Sequence, residues 1–311
     1  LPRLFNACAL FEAQMPPFTS YTQLYRGAVE TLTQAGIANA RNEALWILED
    51  ALGITRLQLH ANPDTPVNAE VCQRAVDLFQ RRALREPLQY VLGTQEFFGL
   101  DLLVRPGVLI PRPETELLVE ETITLLRADA RPVVLDVGTG SGCLAISLAV
   151  NLPRAVIIAS DKSVAALHLA RLNAMRHGVS QRILWVAGDL LSHLLSRNFA
   201  GKVTAIIANL PYISHAEWEH LSPDVKDFEP RLALDGGPDG LDVYRRLLNE
   251  SPGLVSAEGC ILMEVGVGQA DLLCRDPSLT NVFKIVKVRP DSQGIPRVVC
   301  LQRRPVETRN I

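Results

Sequence analysis

The sequence predicts an α/β protein: a mostly parallel, seven-stranded sheet with helices on both faces and an antiparallel last strand, preceded by a small helical domain. Three observations predict it. From residue 133 onward, short apolar runs alternate with helix-like segments, the rhythm of βαβ units on a parallel sheet. Before residue 90 the apolar residues follow the helical period instead. Four of the apolar runs end on a polar residue, at Asp136, Asp161, Asp189 and Asn209, and ligands of open α/β sheets lie beyond such strand ends.

Ser20 with Gln23 three residues later reads as a capping box, and "YTQLYRGAVETLTQAG" behind it as an amphipathic helix closing at Gly36. Asn39 opens a second helix, "ARNEALWILEDALG". Asn68 opens a third, in which Val71, Ala75, Leu78 and Phe79 share one face. Residues 1–90 are thus expected to form the helical domain. Residues 91–112 are expected to form a hairpin linker, since Gly99 and Pro106–Gly107 punctuate two short apolar runs in "EFFGLDLLVRPGVLI". The larger domain takes residues 113–311. It starts with a helix in "IPRPETELLVEETITLLR", where Pro113 suits the first turn and Glu114 and Glu116 suit the positive helix end. Arg112 and Glu114 can form an ion pair at that start. The strands follow as "VVLDVG", "AVIIASD", "RILWVAGD", "VTAIIAN", "CILMEVG" and "FKIVKVR"; "RVVCLQRR" returns antiparallel through the turn "PDSQGIP".

Composition narrows the partners. With 48% hydrophobic and 21% charged residues the chain is globular rather than disordered. The net charge is −3, and residues 1–105 hold 9 Arg against 11 Asp and Glu, so no basic surface is expected to grip nucleic acid there. Cysteines 8, 72, 143, 260, 274 and 300 show neither metal nor redox spacing, which points to free thiols in a reducing cytoplasm and to no metal. Residues 1–20 lack a basic start followed by a continuous apolar segment. No apolar stretch reaches about 18 residues, so neither an export signal nor a membrane span is expected.

The candidate site lies at the strand ends. "VGTGSG" after Asp136 places Gly138, Gly140 and Gly142 as G-x-G-x-G; the third glycine of a dinucleotide fingerprint would fall on Cys143. The loop, with Thr139 inside it, carries no Lys or Arg to hold phosphate. Asp136 at its mouth would attract a cation. Asp161, 25 residues on, can accept both hydrogens of a ribose diol. Asp189 can accept from an exocyclic amine. These properties suit S-adenosylmethionine, a sulfonium nucleoside carrying an amino acid. "ANLPYI" supplies the second half of the site. An amide-type nitrogen is a poor nucleophile, and two oxygen acceptors can hold a flat –NH₂ group so that its lone pair faces a methyl donor.

"LDVGTGSG", "ASD", "GDLL" and "ANLPYI" resemble the class I S-adenosylmethionine-dependent methyltransferases that modify planar nitrogens. "GVLIPRPETELLVE", "FEPRLALDGGPDGLDVYR" and "GIPRVV" are similar to the narrower HemK/PrmC family, over roughly residues 20–303. Members methylate the side-chain amide of a glutamine, in the Gly-Gly-Gln motif of bacterial peptide chain release factors. The resemblance implies a Rossmann-like fold, a helical domain that recognises the protein substrate, and a cytoplasmic monomer. It assigns the two acceptors to the Asn209 side chain and the Leu210 carbonyl. The family usually reads Asn-Pro-Pro-Tyr, and Leu210 departs from that form. Any side chain supplies a carbonyl, however, and Pro211 restricts Leu210 to extended backbone. Tyr212 then offers a flat face for stacking. The expected chemistry is in-line methyl transfer followed by proton loss, with no strong general base. His168, His177, His193, His215 and His220 therefore need no catalytic role, and His168 reads as structural. "IPRPETE", with Arg112 and Glu114, is expected to border the cofactor. Phe97 and Phe98 either wall the substrate pocket or fill the hairpin core, and Phe228 and Glu229 are candidates for partner contact.

Two other targets fit a planar –NH₂ group. A ribosomal protein glutamine is one. Adenine in DNA or RNA is the other, and the acidic front of the chain counts against it. A nicotinamide-dependent dehydrogenase is disfavoured by the misplaced third glycine.

Overall fold

A computed structural model describes residues 19–192, 194 and 199–304. Arg3, Cys8, Glu12 and His193 lie outside the described residues. Contacts divide the described chain into two units, one within Leu1–Gly93 with Pro223–Phe228, the other within Thr94–Ser222 with Glu229–Ile311.

The first unit is helical. Helices α1 (Tyr21–Gln34), α2 (Ala40–Leu52), α3 (Arg56–Ala61), α4 (Ala69–Ala83) and α5 (Leu88–Leu92) surround Leu24, Leu32, Ile47, Leu48 and Phe79, all buried. Ser20 and Gln23 form the reciprocal capping box, and the Asn68 side chain accepts from Val71 N–H. Asn39 stands at its cap position without a side-chain bond to the helix backbone, its Oδ1 accepting instead from Asn42 Nδ2 at 2.7 Å. A second capping box, Thr55 with Gln58, starts α3. Short strands β1 (Thr19–Ser20) and β2 (Pro66–Val67) pair antiparallel. The segment Pro223–Phe228 belongs to this unit because Asp224 pairs with Arg82 and Arg85; Arg82 also meets Glu43 and is buried, so its charge needs those carboxylates.

The second unit opens with an antiparallel hairpin, β3 (Thr94–Phe97) and β4 (Leu100–Leu103). The hairpin packs with this unit rather than standing apart as a linker, because Phe97 and Leu102 are buried in its core. A 3₁₀ turn at Pro113–Thr115 leads into α6 (Glu116–Leu126). Strands β5 (Val133–Val137), β6 (Val156–Asp161), β7 (Ile183–Ala187), β8 (Val203–Ala208), β9 (Val255–Glu264), β10 (Phe283–Pro290) and β11 (Pro296–Arg303) form one sheet in the order β10-β11-β9-β8-β5-β6-β7. Strands β7, β6, β5, β8 and β9 are mutually parallel, and β11 runs antiparallel between β9 and β10. The order reverses at β5: the chain moves outward through β6 and β7, then returns to β8 on the other flank. Such a switch opens a crevice at the carboxyl strand ends.

Alternation along the strands separates the two cores. Leu135, Val137, Ile206 and Ala208 face one side, with Tyr244 and Leu247 of α9 (Asp242–Glu250). Val134, Ala205 and Ile207 face the other, with α6 and α7 (Cys143–Asn151). Helix α8 (Val164–Arg176) follows β6, and α10 (Gln269–Arg275) follows β9. Among the described residues no helix is long and apolar enough to cross a membrane.

Candidate active site

A cavity of about 380 Å³ opens at the switch point. The register Val137↔Ala208 sets Gly138 and Asn209 side by side, each one residue past its paired strand end. The cavity is lined by Val137–Ser141, Cys143 and Leu144, with Gly142 off the wall, by Asp161–Ser163, Asp189, Asn209–Pro211, Arg112 and Thr115, and by Pro230–Ala233 with Asp235 and Arg246.

The glycine loop is held from behind. The N–H groups of Gly138 and Thr139 both donate to the Ser160 carbonyl at 2.9 Å. A Cβ on Gly138 (φ +74°) would come within 2.8 Å of Leu210 Cδ2, and one on Gly142 (φ +86°) within 3.0 Å of Ala170 Cβ. Both glycines are therefore required by the protein's own packing before any ligand is considered. Gly140 N–H donates to Asp161 Oδ2 at 2.9 Å, and Ser163 N–H to Asp161 Oδ1 at 2.7 Å. Asp161 lines the cavity, and each oxygen keeps a further lone pair for a diol. Burial pushes its carboxyl up, against the pull of these backbone donors.

Asp136 is not at the mouth of the loop. It lies one residue inside β5, on the side-chain face shared with Val134, and so points under the loop toward α7. It is fully buried, and it accepts from Thr139 Oγ1 at 2.6 Å and from Ala145 N–H at 3.1 Å. Burial pushes its pKa up to about 7, and its Oδ1 has no hydrogen-bond partner. Its place is that of a brace for the loop and a cap for α7.

Asp189 lies two residues beyond the end of β7 and is engaged by Arg246 at 3.0 Å and Lys162 at 3.6 Å. The sequence loop lacked cations, yet folding brings four to the cavity wall, each beside a carboxylate. Arg246 and Lys162 meet Asp189, Arg231 meets Asp235, and Arg112 meets Glu229. Paired cations leave little charge to hold a polyphosphate.

Arg112 thus pairs with Glu229 and not with Glu114, which is exposed and off the cavity wall. Glu229 is buried and also accepts from Ile110 N–H at 3.1 Å, so it is an internal partner rather than a contact surface. Phe98 sits in the hairpin turn at φ +52°, its N–H on Glu116 Oε1, and packs beside buried Phe97; neither ring lines the cavity. Their places match hairpin core. Among the described histidines none lines the cavity, and His168 is exposed on α8. Cys143 lines it, but burial pushes its thiol up to about 12, so it is no nucleophile. Among the described residues no cluster of metal-ligating side chains occurs.

The loop after β8 is clamped on several sides. Asn209 Nδ2 donates to Thr115 Oγ1 at 2.9 Å, which leaves the amide oxygen as the atom available to the cavity. Leu210 N–H donates to the Tyr244 hydroxyl at 3.2 Å, and that hydroxyl donates to the Glu264 carbonyl. The usual proline at this position would have no N–H to give. Gln269 Nε2 donates to the Tyr212 carbonyl at 2.7 Å, and Ile213 pairs with Asp235. Tyr212 does not line the cavity: its ring packs on the core and its hydroxyl donates to Glu264 Oε1 at 3.3 Å. A stacking face for substrate is therefore not where Tyr212 stands.

Thr115, Tyr244, Glu264 and Gln269 escaped the sequence reading. Glu264 carried a usable signal, since "CILMEVG" ends on an acid as three other strands do. Tyr244 and Gln269 carried none, because they act on backbone atoms 34 and 57 residues away.

Comparison with known proteins fits this arrangement. The PrmC N-terminal domain model matches residues 23–93, and the methyltransferase small domain model matches residues 113–222. The catalytic domain of hMettl16, solved in complex with the MAT2A 3'UTR hairpin 6, shares the fold at a TM-score of 0.53 and 14% identity, over 78% of this chain and 86% of that one. A release factor glutamine methyltransferase of Geobacter sulfurreducens is 44% identical over 86% of this chain and 91% of its own length. That of Nitratidesulfovibrio vulgaris is 39% identical over 93% and 98%, and that of Moorella thermoacetica 40% over 89% and 96%. Likeness of that degree, along nearly the whole length of each relative and across both units, means that this chain belongs to the release factor glutamine methyltransferase family.

Proposed function

We propose that the protein methylates the side-chain amide nitrogen of a glutamine in a peptide chain release factor, using S-adenosylmethionine. The observation that carries this reading is the Asn209 amide, turned by Thr115 so that its oxygen is left for the cavity, one strand from the glycine loop. Asp161, with lone pairs beyond its two backbone bonds, would hold the ribose; the backbone from Gly138 to Ser141 would hold the amino-acid end. Asp136 would support that backbone from below, and Asp189 would stand at the base. When bound, S-adenosylmethionine supplies an electrophilic methyl group.

The protein's own work is orientation. Asn209 Oδ1 and the Leu210 carbonyl each accept one hydrogen of the substrate –NH₂ group, fixing the plane and aiming the lone pair. The Tyr244 hydroxyl, by taking Leu210 N–H, fixes the peptide that carries the second acceptor. No general base is required, because an N-alkylated amide cation releases its proton to water readily. We further propose that it makes no direct contact with nucleic acid, supported by the paired cations at the cavity. The test is incubation with labelled S-adenosylmethionine and, separately, purified release factor, ribosomal protein and DNA, followed by mass spectrometry. Label on a release factor glutamine is expected; label on DNA alone would overturn the reading.

A further inference from the structure

We propose that Leu232 is a substrate-contact residue, an apolar step at the rim of the cavity on which the peptide beside the target glutamine lies. The proposal rests on the methyl-transfer reading above and names the part of the wall that meets the protein substrate. A glutamine in a protein arrives on a chain. Its side chain is short, so once its amide is between Asn209 and Leu210 the backbone on either side must leave over the mouth of the cavity. Single exposed apolar residues are ordinary on a protein surface. Of the large apolar side chains exposed among the described residues, however, Leu232, at 58%, is the one that lines the cavity.

Leu232 stands on a 3₁₀ turn, Arg231–Ala233, that is fixed from three sides. On one side it is tied to the clamp loop: Ile213 N–H donates to the Leu234 carbonyl at 2.9 Å, and Gly236 N–H to the Ile213 carbonyl at 2.9 Å. These bonds place the turn with the target amide, whereas Asp161, at the ribose end, is held by Gly140 and Ser163. Just before the turn, buried Glu229 takes Ile110 N–H and Arg112. Beside Leu232, the Arg231 guanidinium lies over the Trp218 ring, 5.0 Å from its centroid, and Arg231 Nε donates to Asp235 Oδ2 at 3.0 Å. Gly237 N–H holds the other oxygen of Asp235 at 3.1 Å. A side chain on so fixed a turn has little backbone freedom left to lose on contact, so the gain from burying it goes to binding. Its chemistry selects the occupant. Leucine packs on a small or apolar neighbour of the glutamine, where the peptide itself can lie flat. A charged neighbour would lose water there and find no partner in the leucine.

The test uses the full chain and a purified bacterial release factor, with KM and kcat measured at saturating S-adenosylmethionine, cofactor affinity by calorimetry and folding by thermal melts. Leu232→Ser is expected to raise KM for the release factor about fivefold to tenfold, with kcat within about twofold of wild type. Leu232→Glu is expected to raise it further, about tenfold to a hundredfold. Leu232→Met, which keeps the apolar volume, is expected to stay within about twofold of wild type. Cofactor affinity and melting are expected to be unchanged in all three, since the side chain is exposed in the free protein. An unchanged KM in Leu232→Ser and Leu232→Glu would overturn the proposal and leave the methyl-transfer reading standing. Weakened cofactor affinity would overturn it too, because the leucine would then cover the cofactor. No transfer by the wild type to any release factor would overturn the methyl-transfer reading, and this proposal with it.

Discussion

Asp136 and Glu264 are two buried carboxylates under two neighbouring loops of one cavity. Each is almost fully buried, each is pushed up to about 7 by that burial, and each has one oxygen without a partner. Their partners differ in origin. Asp136 holds Thr139 and Ala145, three and nine residues along the chain, while Glu264 meets Tyr212, 52 residues away. The first braces backbone and needs only a strand, a turn and a helix start. The second is met by a hydroxyl from a separate segment, the loop after β8. Similar chemistry therefore serves a local device in one place and a tertiary one in the other.

The largest effect is expected in the loop whose Tyr212 meets the second carboxylate. Asn209→Ala is expected to lower methyl transfer by roughly 10² to 10³-fold while S-adenosylmethionine still binds; a radiolabel assay with calorimetry checks both. Retained transfer would remove the clamp.

The two carboxylates should also be visible in stability. Each ionises ordinarily at 3.8 or 4.5 and is raised to about 7 in the folded protein. The folded state thus holds protons that the unfolded chain has released, and stability falls as pH rises from about 4 to 7. Asp136→Asn and Glu264→Gln are each expected to flatten that fall, by up to a few kcal/mol, in thermal unfolding across the window. A fall unchanged in both variants would mean that neither carboxyl carries it.

Asp161→Ala is expected to weaken cofactor binding about tenfold to a hundredfold, leaving transfer at saturation less affected, as the split of KM and kcat would show. Unchanged affinity would remove its ribose role. The smallest effect is expected where the two loops touch. Gly138→Ala should cost about 1–2 kcal/mol for the positive φ, plus the clash with Leu210 Cδ2. Leu210→Ala in the same chain should return the clash but not the backbone cost, as thermal melts of the single and double variants would separate.

Much of the site was legible because its parts are local. A polar residue at a strand end, three spaced glycines and a proline that fixes its predecessor all act within a few residues. The errors lie where direction mattered. Tyr212 reads as a face for substrate, and its ring turns instead to packed neighbours; of the two places open to Phe98, pocket wall and hairpin core, the fold takes the second. Sequence proximity allows Arg112 to pair with Glu114, but its partner Glu229 lies 117 residues on and buried, where an ion pair is less screened. Asp136 was placed at the mouth, although strand alternation sends its side chain below.

By itself the sequence determined the alternating strands and helices, the helix caps, the strand ends that gather at one edge and the motif that names the chemistry, because periodicity and turn residues act over short stretches of chain. Only the tertiary structure decided which carboxylate meets which cation, that Leu210 and Gly138 share one gap, and that Thr115 takes the Asn209 amide nitrogen. Those contacts join residues dozens of positions apart, and their geometry exists only once the sheet has set its strands in register.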